Sequence, residues 1–225
     1  MAGLESVAAV GARLGWAQLK LAVHGFYRAH HDEEHWEAQM PATMTRPTTP
    51  LRQTRNSTTL QSSAMSTPIG PLTVLAADGV VVAGGFTDDI GALLNGRLRQ
   101  RALDAQIDVV PDLGAITEAL GAYFDGDVRA FDDLRVEYAG GPFQQRVWDA
   151  LRAIPAGQPT TYRQLAVQLG SERLARAVGM GCATNLISPI VPCHRVTHGT
   201  GRLAGYYWGL DRKQWLLHHE ARHAR

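Results

Sequence analysis

The run Pro192-Cys193-His194-Arg195-Val196 sets a thiol directly beside an imidazole, in a chain that has only 2 cysteines. A thiol is a weak nucleophile until it loses its proton. A neighbouring base, a cation or a helix N-terminus makes that loss easier. Such a pair suits a reactive nucleophile. The alternative is a buried structural cysteine, as most lone cysteines are, and the pentapeptide by itself leaves both open. The other concentration of chemistry-bearing side chains is His24, His30, His31 and His35. No cysteine accompanies them, so a solvated helix end accounts for them better than a metal cluster, and no metal site is expected.

The elements that must hold the Cys-His pair come from a chain of 225 residues, enough for one or two domains with a sizeable core. Two cysteines cannot build a disulfide framework. No run approaches the ~20 apolar residues of a membrane span, and the start of the chain lacks a basic-then-apolar signal. The expectation is a cytoplasmic protein with no membrane association. The net charge of +1 conceals an asymmetry. Residues 142–225 carry 11 Lys or Arg against 4 Asp or Glu, whereas residues 65–141 carry 5 against 12. A basic C-terminal part points to a polyanion partner, against the plainer reading of a patchwork surface.

Three segments follow. Residues 1–64 read as an N-terminal extension and linker, poorly ordered, with loosely helical apolar spacing over 14–36. A stretch rich in Thr, Ser, Pro and Arg covers 41–66. Met44 and Met65 are alternative starts of the working chain. Residues 65–140 read as an α/β domain: strands at 72–77 and 80–86 about an Asp78-Gly79 turn, a strand at 107–110, a helix over 111–123 and a strand at 134–138. Residues 141–225 read as mostly helical, with helices at 142–154, 161–169, 172–180 and 210–221. Gly170 stops the second and Ser171 caps the third. Helix, glycine turn, helix is the spacing of a helix-turn-helix, a weak signal by itself.

In this order the motifs make a specific pattern: Thr161-Tyr162-Arg163-Gln164-Leu165-Ala166, Ala175-Arg176-Ala177-Val178-Gly179, Asn185, the Pro192–Val196 run, Tyr206, Gly209-Leu210 and Trp215-Leu216-Leu217. From about residue 66 to 220 the chain resembles the O6-alkylguanine-DNA alkyltransferases, also called methylated-DNA–protein-cysteine methyltransferases. The resemblance implies a ribonuclease H-like α/β N-terminal domain. With it goes a winged-helix-like, mostly α C-terminal domain carrying the helix-turn-helix. It implies irreversible, single-turnover transfer of an alkyl group from O6 of guanine to Cys193, with no cofactor. His194 matches the base that acts through a water, and Glu220 the carboxylate that orients it, a nucleophile–base–orienter logic. Asn185 matches a hinge between the recognition helix and an active-site strand at 187–191. The target base must leave the stack. Tyr162 matches the residue that crowds the 3′ phosphate, and Arg176 the finger that fills the gap. Ala175, Ala177 and Gly179, with Gly181, would keep one side of the helix small enough for a minor groove roughly 6 Å wide. Val196, Tyr206, Tyr207 and Trp208 match the guanine pocket. The implied partner is duplex DNA containing O6-alkylguanine, gripped electrostatically in the minor groove by a monomer.

The departures from the family pattern carry expectations of their own. Leu186 stands where many members have Pro, and Tyr207-Trp208 where many have Ser and Gly. An indole in the pocket wall predicts good repair of methyl adducts and poor reaction with O6-benzylguanine. With no cysteine before Cys182, the N-terminal zinc site of some members is not expected. Cys182 reads as a packed small residue. Three rival readings are weaker. A non-reacting lesion-binding protein would lack Cys193. A helix-turn-helix transcription regulator leaves Tyr162, Asn185 and Glu220 unexplained. A papain-like hydrolase keeps its cysteine and histidine far apart in sequence.

Overall fold

A computed structural model describes residues 59–94, 105–199 and 205–224. The helical spacing at 14–36 and the histidines His24, His30, His31 and His35 lie outside them. Three strands run as a meander: β1 Leu60–Thr67, β2 Gly70–Ala77 and β3 Val80–Gly85. The β2–β3 turn requires left-handed backbone at both corners, φ 50° at Asp78 and 70° at Gly79, and Asp-Gly is the pair that tolerates this best. The short strand β4 Ile107–Val109 adds parallel to β1, giving the order β3-β2-β1-β4. Between β3 and β4 lies a single turn of helix, α1 Ile90–Leu93. The helix α2 Ala115–Phe124 follows β4 and buries Ile116, Leu120 and Tyr123.

The first strand corrects the expected boundary at residue 64. Leu60, Ser62 and Ser63 are buried in β1, so the stretch read as linker already belongs to the sheet. A chain starting at Met65 would lose the β1 residues before it. Two further strands are corrected. Residues 134–138 make only a single bridge, Val136 to Val81. The carbonyls at and just before their start turn instead to Arg152, whose Nη2 reaches Phe131 O at 3.3 Å, Asp132 O at 3.0 Å and Leu134 O at 2.9 Å. Residues 187–191 form a turn closed by Val191 N–H donating to Ile187 O at 2.7 Å, with one bridge from Ile187 to Gly84.

The C-terminal half is helical. The helix α3 Pro142–Arg152 starts with proline at its first position and Gln144 capping the Gly141 N–H, and buries Val147, Trp148 and Leu151. Each such side chain contributes roughly 1.5–3 kcal/mol on burial. Strand β5 Thr160–Thr161 pairs in parallel with β6 Val196–Thr197. Thr161 caps α4 Tyr162–Gln168 reciprocally with Gln164, the Thr-x-x-Gln capping box. The chain turns at Gly170, φ 116°, and Ser171 caps a short 3-10 helix Glu172–Leu174 that leads into α5 Ala175–Ala183. The expected single helix at 172–180 is therefore a 3-10 turn followed by an α-helix. Gly181 faces inward, where an added methyl would meet Val147, and Trp148 Nε1 donates to its carbonyl at 2.9 Å. It does not share an outer face with Gly179, because a spacing of two turns a helix by more than half a circle. The last helix, α6 Leu210–His223, buries Lys213, Leu216, His219 and Glu220. One buried cluster runs from Leu72 and Val74 of the sheet to Val147, Leu165 and Leu216 of the helices. No helix among the described residues is long and apolar enough to cross a membrane.

Candidate active site

Cys193 opens a 3-10 helix, Cys193–Arg195, and is only 6% exposed. The Asn185 amide Nδ2 sits 3.2 Å from its sulfur and 2.7 Å from Val191 O, while Ile187 N–H donates back to Asn185 Oδ1 at 3.0 Å. This side chain, just past the end of α5, therefore ties that helix to the loop carrying Cys193 and touches the thiol. Ser188 Oγ stands 3.7 Å from the same sulfur. Burial pushes the Cys193 thiol up from its usual range. The Asn185 and Ser188 hydrogen bonds and the charge of Lys213 oppose that rise without cancelling it. The resting group is a thiol.

His194 is 1% exposed, and its two nitrogens differ. Nε2 lies 2.9 Å from Glu220 Oε1, whereas Nδ1 is buried without a hydrogen-bond partner. Burial lowers the imidazole's proton affinity, and Glu220 opposes that only in part. A neutral ring donating from Nε2 leaves Nδ1 as an open base.

Glu220, fully buried on α6, is a hub. Oε1 also accepts from Tyr123 Oη at 2.9 Å and from Arg195 Nη2 at 2.9 Å, and Oε2 accepts from Arg195 Nε at 2.9 Å and Gly157 N at 3.4 Å. Arg195 Nη1 continues to Ile154 O at 2.6 Å. Burial alone would raise the carboxyl. His194 and Arg195 together hold it well below the usual carboxylate range. With the imidazole neutral, the permanent guanidinium charge is the part that persists. Burial first, then Glu220's charge, keeps the Tyr123 hydroxyl protonated and donating.

Tyr162 begins α4, half-buried; a Cβ added to Gly179 would lie 4.0 Å from its ring, and the His198 ring centre is 5.7 Å away. Burial, helped by the two cysteines, pushes its hydroxyl up to about 12. Arg176 is exposed on α5, while Ala175, Ala177 and Gly179 are partly covered. Val196 is fully buried. Its N–H donates to Cys193 O, and its carbonyl accepts from Lys213 Nζ at 2.7 Å. Of the expected pocket aromatics, Tyr207 is 69% exposed. The Tyr206 hydroxyl and the Trp208 indole N–H are buried without partners. Cys182 lies partly buried on α5, as expected of a packed residue, and burial pushes its thiol up. Among the described residues no cluster of metal-ligating side chains occurs.

Sequence reasoning missed Tyr123, Ser188 and Lys213. Tyr123 lies 97 positions from the carboxylate it serves. Ser188 is one serine among many. Lys213 is a helix lysine whose burial no local pattern announces. Arg195 was in plain view inside the pentapeptide, but with no role attached.

Fold and site together define a protein built around one buried, hydrogen-bonded thiol. An imidazole–carboxylate relay stands beside that thiol, behind two helices joined by a glycine turn. The family model described as 6-O-methylguanine DNA methyltransferase, DNA binding domain, matches residues 142–222. The methylated-DNA–protein-cysteine methyltransferase of Salmonella typhimurium is 41% identical over 165 residues, 72% of this chain and 95% of the relative. That of Mycobacterium tuberculosis is 41% identical over 157 residues, 68% of this chain and 87% of the relative. The crystal structure of Mycobacterium tuberculosis OGT in complex with DNA superposes with a TM-score of 0.62 at 34% identity, covering 72% of this chain and 94% of that one. The chain belongs to the methylated-DNA–protein-cysteine methyltransferase family.

Proposed function

We propose that this protein repairs duplex DNA by moving an alkyl group, chiefly methyl, from O6 of guanine to the sulfur of Cys193, once per chain. The observation that carries the reading is the pairing of a buried thiol with a buried imidazole whose Nε2 is held by Glu220, while its Nδ1 has no partner within the protein. In the reaction the thiol proton passes to His194 Nδ1, through an intervening water. Sulfur attacks the methyl carbon, the S–C bond forms and the C–O6 bond breaks. The electron pair leaves with guanine, which recovers the thiol's proton from the imidazolium by way of solvent and is released as its keto form. Glu220, fixed by Arg195 and Tyr123, stabilises the imidazolium that results. A thioether has no route back, so the chain is spent.

The base reaches the sulfur by leaving the stack, at a cost of a few kcal/mol. In this reading Tyr162 crowds the phosphate, Arg176 enters the gap, and the small side chains on its two flanks, Ala175 and Gly179 on one and Ala177 on the other, keep α5 slim enough for the minor groove. Val196 and the 206–208 turn hold the guanine. The same reading takes the sheet with α2 as ribonuclease H-like and α3–α5 with β5 and β6 as winged-helix-like, meeting near residue 141. The protein acts as a cytoplasmic monomer without cofactor. Incubation with an O6-methylguanine duplex should add the mass of one methylene to the Cys193 peptide and to no other. Modification elsewhere, or none, would refute the assignment.

A further inference from the structure

We infer that Gly84 and Gly85, at the end of β3, form the seat that sets the acceptor loop and the Trp208 turn, and that Gly85 is a specificity-determining position for the transfer. The inference rests on the function proposed above. β3 is the edge strand of the sheet, and its open side is met by single bridges at Val81 and Gly84. At Gly84 two backbone hydrogen bonds form: Gly84 N–H to Leu186 O at 2.8 Å and Ser188 N–H to Gly84 O at 2.9 Å. The segment they grip joins Asn185 to Ser188, the two side chains that meet the Cys193 sulfur. The sheet edge thus fixes the backbone from which both thiol partners hang.

Successive strand residues face opposite ways, and the two glycines leave room for two different neighbours. A Cβ on Gly84 would lie 3.1 Å from Ser188 O. A Cβ on Gly85 would overlap Trp208 Cζ2 at the edge of the six-membered ring, so the indole occupies the space where a side chain belongs. Neither glycine has left-handed backbone, so space and not conformational freedom calls for glycine here. The turn that carries Trp208 is held a second time by Arg212. Its Nη1 donates to Trp208 O and its Nε to Ile69 O, both at 2.8 Å, with the guanidinium 5.7 Å from the Phe86 ring centre. The indole's seat on Gly85 therefore sets the height at which the pocket turn stands over the acceptor, and with it the adduct size that fits.

The test compares Gly85→Ala, Trp208→Gly and the double variant. The readouts are single-turnover methyl transfer from an O6-methylguanine duplex, reaction with O6-benzylguanine, and DNA affinity. Gly85→Ala should slow methyl transfer about tenfold to a hundredfold, the range of an ångström-scale misplacement, with DNA affinity held. The benzyl-to-methyl rate ratio should change, whereas a loss of folded protein would lower both rates alike. In the double variant the added methyl enters space the indole has left, so the rate should return to within about twofold of Trp208→Gly alone. A parental rate and ratio in Gly85→Ala, or losses that simply multiply in the double variant, would overturn the inference. If Gly85→Ala does not fold, a folded double variant with the Trp208→Gly rate supports the seat, and an unfolded one refutes it. The unmodified protein separates the two readings. If it accepts no methyl the proposed function fails, and the seat is then judged by whether Trp208→Gly relieves the stability loss of Gly85→Ala.

Discussion

Replacing Glu220 by Gln keeps the shape of the hub and removes its charge. Oε1 accepts from Tyr123, His194 and Arg195 at 2.9 Å, and Oε2 from Arg195 Nε at 2.9 Å and Gly157 N at 3.4 Å. A glutamine offers one acceptor oxygen and one NH2, so in either orientation a donor faces a donor. Arg195, only 6% exposed, also loses its counter-ion. Removing one partner of a buried pair costs about 3–5 kcal/mol, against a total stability of roughly 5–15 kcal/mol. The variant should fold, with a lower urea midpoint at pH 7 and an unchanged slope. Its carboxylate contribution in the parent is present above the unfolded value of about 4.3 and is lost as pH falls through the depressed folded value. The gap between parent and variant should therefore hold steady from neutral pH down to about 5. Methyl transfer should slow about a hundredfold, within the range of general-base effects, while DNA affinity stays. A stability loss under about 1 kcal/mol, or transfer at the parental rate, would refute the hub.

Asn185→Ala removes a hydrogen bond that opposes the burial-driven rise of the thiol, so the rising limb of the pH–rate profile should move to higher pH; an unmoved profile contradicts this. Tyr123→Phe deletes one 2.9 Å bond onto a carboxylate and should cost about 1.5–3 kcal/mol in denaturant unfolding. The His194 ring is held neutral by burial, so between its lowered folded value and about 6.5 the unfolded chain binds more protons. Stability should be full above about pH 6.5 and decline below it, by up to about 1.4 kcal/mol per unit. Melting curves at neutral and mildly acid pH check this, and equal midpoints would contradict it.

Much of this was legible in the chain. The β2–β3 hairpin follows from Asp78-Gly79, α4 from Thr161-x-x-Gln164, and α3 from Pro142 and an apolar stripe. β1 was hidden because two of its buried positions are Ser62 and Ser63, which erase the hydrophobic alternation a strand usually shows. The strand expected at 187–191 fails because Asn185 takes the Val191 carbonyl and Ile187 N–H, which a ladder would otherwise use. The site shows the same division. Cys193 and His194 are neighbours in sequence, and Glu220 and Asn185 come from the resemblance. Tyr123, Gly85 and Lys213 act through contacts that only the fold creates.

The proposed function makes Cys193 a consumable acceptor. Its most direct test follows methyl-labelled O6-methylguanine in duplex DNA as label passes to protein under excess substrate. Label should plateau at one methyl per chain and vanish in Cys193→Ala, which should still bind the duplex. Continued turnover, or transfer that survives the substitution, would contradict the account.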